Sequence, residues 1–195
     1  MGKIELAKQA IRKMISKSSV EEDPIHAENT LAWVLKLDPK ADKALQIAAL
    51  AHDIDRACPE TKTRRQDYAD YDAFKAEHAK NGARIVRKIL EGHAVSDEIT
   101  DKACALIILH EVGGNPEADL LKDADSISYF DHNLPFYFGR EGYVETKRRC
   151  MWGYQRLSNK MRTLLATFKY EHKELTKIMR EVIIESDPHK GGGCI

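Results

Sequence analysis

Three features of this sequence predict an all-α protein, a bundle of about seven to nine helices. Apolar residues recur at spacings of about three and four along most of the chain, the period of an amphipathic helix. No run alternates apolar and polar residues with β-branched enrichment, as a half-buried strand would. Capping residues and helix breakers divide the chain into segments of helical length.

Ile4, Ala7, Ile11, Met14 and Ile15 form one apolar stripe between lysines and arginines and describe the first helix. Asp23 as N-cap and Pro24 as first helical residue open the second, which runs to Leu37 before Asp38-Pro39. The third covers about Ala41 to His52 and is rich in alanine. Cys58 to Asp67 is polar, charged and aperiodic, a loop with room for a short helical turn. Asp70 to Leu90 forms a long fourth helix ended by Glu91-Gly92. Ser96 opens the fifth, which reaches His110, and Gly113-Gly114-Asn115-Pro116 breaks it. A sixth spans about Glu117 to Tyr129. Asn133 to Gly142, with Pro135 and several aromatic residues, reads as an apolar loop or cap. Tyr143 to Phe168, with room for an interruption, and Glu171 to Ile184 complete the helices.

The length of 195 residues fits one domain, expected over 1–188, with a metal-site core at about 24–130 and a flexible glycine-rich tail at 189–195. With 31 basic and 31 acidic side chains there is no global field to gather nucleic acid or an anionic membrane surface, so neither is an expected partner. No apolar run approaches the roughly 18 to 20 residues of a membrane span. The N-terminal stretch mixes charge and hydrophobe too often for a signal peptide, so the expected location is the cytoplasm. Cys58, Cys104, Cys150 and Cys194 contain no C-x-x-C pair, and reduced thiols are the expected state. Cys194 is second from the end, the wrong place for a prenylated cysteine.

The chemistry concentrates in Ile47 to Arg56, where an apolar helix ends in His52-Asp53. Burying an imidazole and a carboxylate without partners costs several kcal/mol each, roughly, and a metal ion is one natural compensation. A core histidine beside a helix-capping carboxylate is the simpler alternative. His26 in the second helix, His78 in the fourth, His110 ending the fifth and Asp125 in the sixth extend the series, each on a different helix. Any one of these histidines alone is more readily a core or surface residue than a ligand. Their number and order are harder to explain that way.

The order His, His-Asp, His, His, Asp resembles the HD superfamily of metal-dependent phosphohydrolases in its two-metal version. The resemblance covers about residues 25–128 and extends to the local patterns AALAHDIDR at Ala48–Arg56, HAKNGARIVRKIL at His78–Leu90 and IILHEVGG at Ile107–Gly114. It implies a first metal held by His26, His52, Asp53 and Asp125, with Asp53 bridging to a second metal held by His78 and His110. Asp53 and His52 are then the central catalytic positions. Asp125 follows the small residue Ala124, as the family's last aspartate usually does, and Asp123 is the alternative. Single-metal members carry histidines in similar contexts, so one metal is the alternative to two.

Imidazole and carboxylate suit iron, manganese, cobalt, nickel and zinc alike, which leaves the metal's identity open. Arg56 and Lys80 are candidates for contacts to substrate phosphate, with Lys122 a weaker one. Glu28, Glu77 and Glu111 adjoin ligands in sequence and are candidates to orient an imidazole. His132 and Asn133 are candidates for the mouth of a pocket. The Lys147 to Arg149 cluster spreads around its helix and reads as a solvated face; His93, His172 and His189 have no partners in the pattern.

The resemblance implies hydrolysis of a small phosphorylated metabolite or nucleotide by hydroxide formed on the metals. Two other classes remain: an HD-type di-iron oxygenase similar to myo-inositol oxygenase and the HD-type phosphonate oxygenases, which share the ligand set, and a metal-stabilised binding module without turnover.

Overall fold

A computed structural model describes residues 2–186. Their regular structure is helical, with no strand among the described residues. The helices are α1 (Lys3–Ile15), α2 (Asp23–Leu37), α3 (Lys43–Ala51), α4 (Tyr71–Gly92), α5 (Asp97–Leu109), α6 (Pro116–Ser128), α7 (Leu134–Arg156), α8 (Asn159–Leu165) and α9 (Lys173–Ser186). Short 3-10 turns lie at Ile54–Ala57 and Arg65–Asp67. None of these helices is long and apolar enough to cross a membrane. The tail expected at 189–195, with His189 and Cys194, lies outside the described residues.

The contacts gather into two compact units, the first ending at Asp125 and the second beginning at Ser126. All six histidine and aspartate positions singled out by the sequence belong to the first. There α3 is the central element, packed against α1, α2 and α5. Ala44, Leu45, Ile47, Ala48, Ala49, Leu50 and Ala51 are all buried, so beyond Lys43 and Gln46 α3 is apolar all round. Its alanines allow close approach by neighbouring helices. Asp42 caps it, its carboxylate accepting the Leu45 amide at 2.9 Å. Asp70 does the same for α4 at the Ala73 amide, 2.6 Å away.

Asp23 departs from its expected role. It is the first residue of α2, not its N-cap, and Glu22 precedes it without a side-chain cap bond. The buried Asp23 carboxylate instead accepts the Ser18 hydroxyl at 2.6 Å and meets Arg56 at 3.2 Å. A long-range partner takes the oxygen that local capping would use.

In the second unit, residues 133–142 are helical rather than the expected apolar loop. A π-turn at Tyr129–Asn133 passes into α7, where Pro135 sits in the first turn and needs no amide partner. The break falls at Gly142, whose φ of 74° and ψ of −173° interrupt the helix. Leu134 to Phe138 is apolar at every position and so gives no amphipathic period, which is why its helicity was not legible. α7 packs on α9, and Tyr170 donates its hydroxyl to the Phe130 carbonyl at 3.0 Å.

Gly82 lies where α4 meets the site. A methyl group there would meet the His52 carbonyl oxygen at 3.5 Å, Ile107 at 3.6 Å and Ile54 at 3.8 Å. Those are ordinary contacts, and alanine is better in a helix interior by about 1 kcal/mol. Gly82→Ala is therefore expected to leave stability unchanged or raise it, whereas Gly82→Leu, forced against the His52 carbonyl, should lower it by about 1 to 3 kcal/mol. Chemical denaturation of both variants tests this; an alanine variant as unstable as the leucine variant would contradict it.

Candidate metal centre

His52 caps the C-terminus of α3, and its Nδ1 donates to the Ala49 carbonyl of the last turn at 2.9 Å. That bond orients the ring and turns Nε2 into the interior. His110 repeats the device at the end of α5, donating from Nδ1 to the Ile107 carbonyl at 2.7 Å. His78, in the middle of α4, gives its Nδ1 proton to a carboxylate, Asp55 Oδ2 at 2.8 Å. In all three the outer nitrogen is committed and the inner one is left to ligate, as metal-bound imidazoles require. His26, in the first turns of α2, brings its Nε2 to 3.2 Å from that of His52.

Two groups of three result. His26, His52 and Asp125 offer ligand atoms within 4.8 Å of one another, and so do Asp53, His78 and His110. Asp53 faces both. Its Oδ1 lies 2.8 Å from His78 Nε2, while its Oδ2 lies 3.7 Å from His52 Nε2 and 3.9 Å from His26 Nε2. Asp125 Oδ1 completes the first group at 3.2 Å from His26 and 3.4 Å from His52. Asp123, the alternative, belongs to neither group. The histidines are almost wholly buried.

This donor set fits divalent metal. Imidazole nitrogens and carboxylate oxygens converge in a largely buried space, and the Nε2 atoms of His26 and His52 stand 3.2 Å apart, so a proton or a cation must lie between them to avoid facing lone pairs. Without metal, protons take that place. Burial works to lower the pKa of His52, but the charges of Asp53 and Asp125 outweigh it and raise it to about 9. For His78, hydrogen bonds to Asp53 and Asp55 likewise overcome burial and raise the pKa. Burial pushes the Asp53 carboxyl upward, yet Arg56 and then His52 hold it well below the ordinary range.

The charged candidates divide sharply. Arg56 bridges Asp53 Oδ2 at 2.9 Å and Asp23 Oδ1 at 3.2 Å, with its side chain 36% exposed. Lys80 stands on the outer face of α4 near Glu77, and Lys122 reaches the Val112 carbonyl and Asp119. Neither lysine lines the pocket of about 890 Å³ that opens beside His78 and Arg56. Of the three glutamates, Glu28 pairs with Arg12 and Glu77 with Arg84 on exposed faces. Glu111 lies 3.1 Å from His110 Nε2 and pairs with Lys75. His132 and Asn133 belong to the second unit, where His132 packs on Phe136. His93 donates to the Ile89 carbonyl at the end of α4, and His172 packs on Phe138.

The residue that sequence reading missed is Asp55, 1% exposed, which anchors His78. The sequence offered only its place two residues after Asp53, which does not encode the contact to His78. Asn81 and Thr63, which also bind Asp55, gave no signal.

Fold and site together define an all-α protein with two adjoining His/Asp groups that can hold metal ions. The chain belongs to the family described as a domain of unknown function, DUF4202, which matches residues 7–178. No curated protein and no solved structure matches it.

Two outcomes are expected. Asp53→Ala should abolish binding of both metals and His78→Ala of one, as read by metal content after dialysis; equal losses would contradict the shared role of Asp53. The pH dependence follows from His52. Its metal-free pKa of about 9 lies above the ordinary 6.5, so at neutral pH a proton must leave before the nitrogen can ligate. Metal affinity should rise with pH and level off near 9. Calorimetry in buffers of different ionisation enthalpy should detect that proton release at pH 7.5; none would contradict it.

Proposed function

We propose that the protein is an HD-type metal-dependent phosphohydrolase acting on a small phosphorylated metabolite or nucleotide. The observation that carries this reading is the division of Asp53, one oxygen toward each histidine group, beside a pocket with Arg56, Lys62, Arg64, Arg65 and Lys75 in its wall. Shared carboxylate and basic wall together match what phosphoryl transfer demands, since its charge falls on peripheral oxygens. When bound at such a pair of sites, divalent metals supply Lewis acidity and lower the pKa of water.

The chain's own part is positioning. His52 and His110 are locked by carbonyls and His78 by Asp55, so the inner nitrogens are held without further reorganisation. Arg56 fixes the orientation of Asp53 and, being partly exposed, presents its remaining N–H groups toward the pocket. Water's oxygen replaces the ester oxygen on phosphorus, and the departing oxygen takes a proton. A cytoplasmic setting belongs to this reading, in keeping with the free thiols of Cys58, Cys104 and Cys150.

The test is a panel of phosphomonoesters and nucleotides incubated without oxygen, with manganese, cobalt or nickel. Phosphate release is expected with at least one metal, and Asp53→Ala should reduce it to background. No release under any of these conditions, with oxygen uptake by the iron-loaded protein on an organic substrate, would replace this reading with the oxygenase. Metal binding without either activity would leave the binding module.

A further inference from the structure

The cations of the pocket beside His78 are paired in different ways. Arg56 is held by Asp53 and Asp23, and Lys75 by Glu111. Lys62, Arg64 and Arg65 have no carboxylate partner among the described residues; Arg65 donates to the Tyr68 carbonyl at 2.6 Å. Three cations within four residues give this wall of the pocket a local positive potential, which favours an anion there. Their segment has little regular structure of its own, only the 3-10 turn Arg65–Asp67 at its end.

What holds that segment is Asp55. Its two oxygens accept the Thr63 amide, at 3.1 Å from Oδ2 and 3.2 Å from Oδ1. The same carboxylate accepts His78 Nδ1 and the side-chain amide of Asn81. Asn81 also donates to the Thr61 carbonyl at 2.9 Å, a second tie to the same segment. One buried carboxylate is thus shared between a histidine of the metal centre and the backbone amide in the middle of the cationic run.

We propose that Asp55 is a positioning residue that keeps the segment Lys62–Arg65 in register with the metal centre, and that this segment takes the charge of the anionic substrate. The inference rests on the phosphohydrolase reading and names the recognition element of that site. Asparagine at position 55 would keep the volume but offer one accepting oxygen to three donors, while its own amide protons would face them. Asn81→Ala would loosen the segment and leave the His78 to Asp55 bond in place.

The test uses the full chain loaded with manganese, with two readouts that need no turnover: amide exchange at Thr63, and calorimetric binding of inorganic phosphate. Asp55→Asn is expected to weaken manganese binding by roughly 10- to 100-fold, and at saturating manganese to speed exchange and weaken phosphate binding several-fold. Asn81→Ala should speed exchange and weaken phosphate binding with manganese affinity unchanged, and Arg64→Ala should weaken phosphate binding alone. Phosphate affinity unchanged in both Asn81→Ala and Arg64→Ala, or Thr63 exchange no faster in Asn81→Ala, would overturn the proposal even if Asp55→Asn failed to fold. A protein that meets these expectations and yet releases phosphate from no ester keeps this inference and loses the hydrolase reading.

Discussion

Electron-rich atoms crowded into a water-poor interior set the terms for the first unit. His26 and His52 bring ring nitrogens to 3.2 Å, with Asp125 and Asp53 oxygens at 3.2 to 3.9 Å around them. Such an arrangement is favoured by protons or by metal set between the acceptor atoms. The rest of the unit supplies the geometry. α3 is alanine-rich so that α1, α2 and α5 can approach, and the last turns of α3 and α5 turn their own carbonyls into anchors for the rings.

Much of this was legible in the sequence, for physical reasons that can be named. Helices announce themselves through the 3.6-residue period, and polar residues at the ends of apolar helices stand out because burial penalises them. Helix geometry says that Asp123 and Asp125 point in different directions, and the choice of Asp125 rests on the resemblance to the HD superfamily. The helical run after Asn133 stayed hidden because Leu134 to Phe138 is apolar at every position. Asp55 stayed hidden because its role depends on His78, 23 positions away, and on the Thr63 amide, which no side-chain pattern encodes. Lys80, close to His78 in sequence, lies outside the pocket wall, where Lys62, Arg64 and Arg65 stand instead. On a helix, a neighbour two residues away faces elsewhere, whereas a folded-back loop brings distant residues to the pocket.

Arg56 illustrates how charge is distributed around the proposed reaction. It neutralises part of Asp53 and of the buried Asp23, so the central carboxylate is oriented without depending on any ligand. The cations farther out, on the segment tied to Asp55, are not neutralised by the chain. Around the pocket, Arg56 is thus paired with carboxylates of the chain, whereas Lys62, Arg64 and Arg65 have none among the described residues.

The central claim is that Asp53 is shared between two metal positions. The most direct measurement is anomalous scattering from crystals grown with manganese. The account predicts two peaks, one within the His26, His52 and Asp125 group and one within the His78 and His110 group, with Asp53 contacting both. A single peak, or two peaks with Asp53 contacting only one, would contradict it.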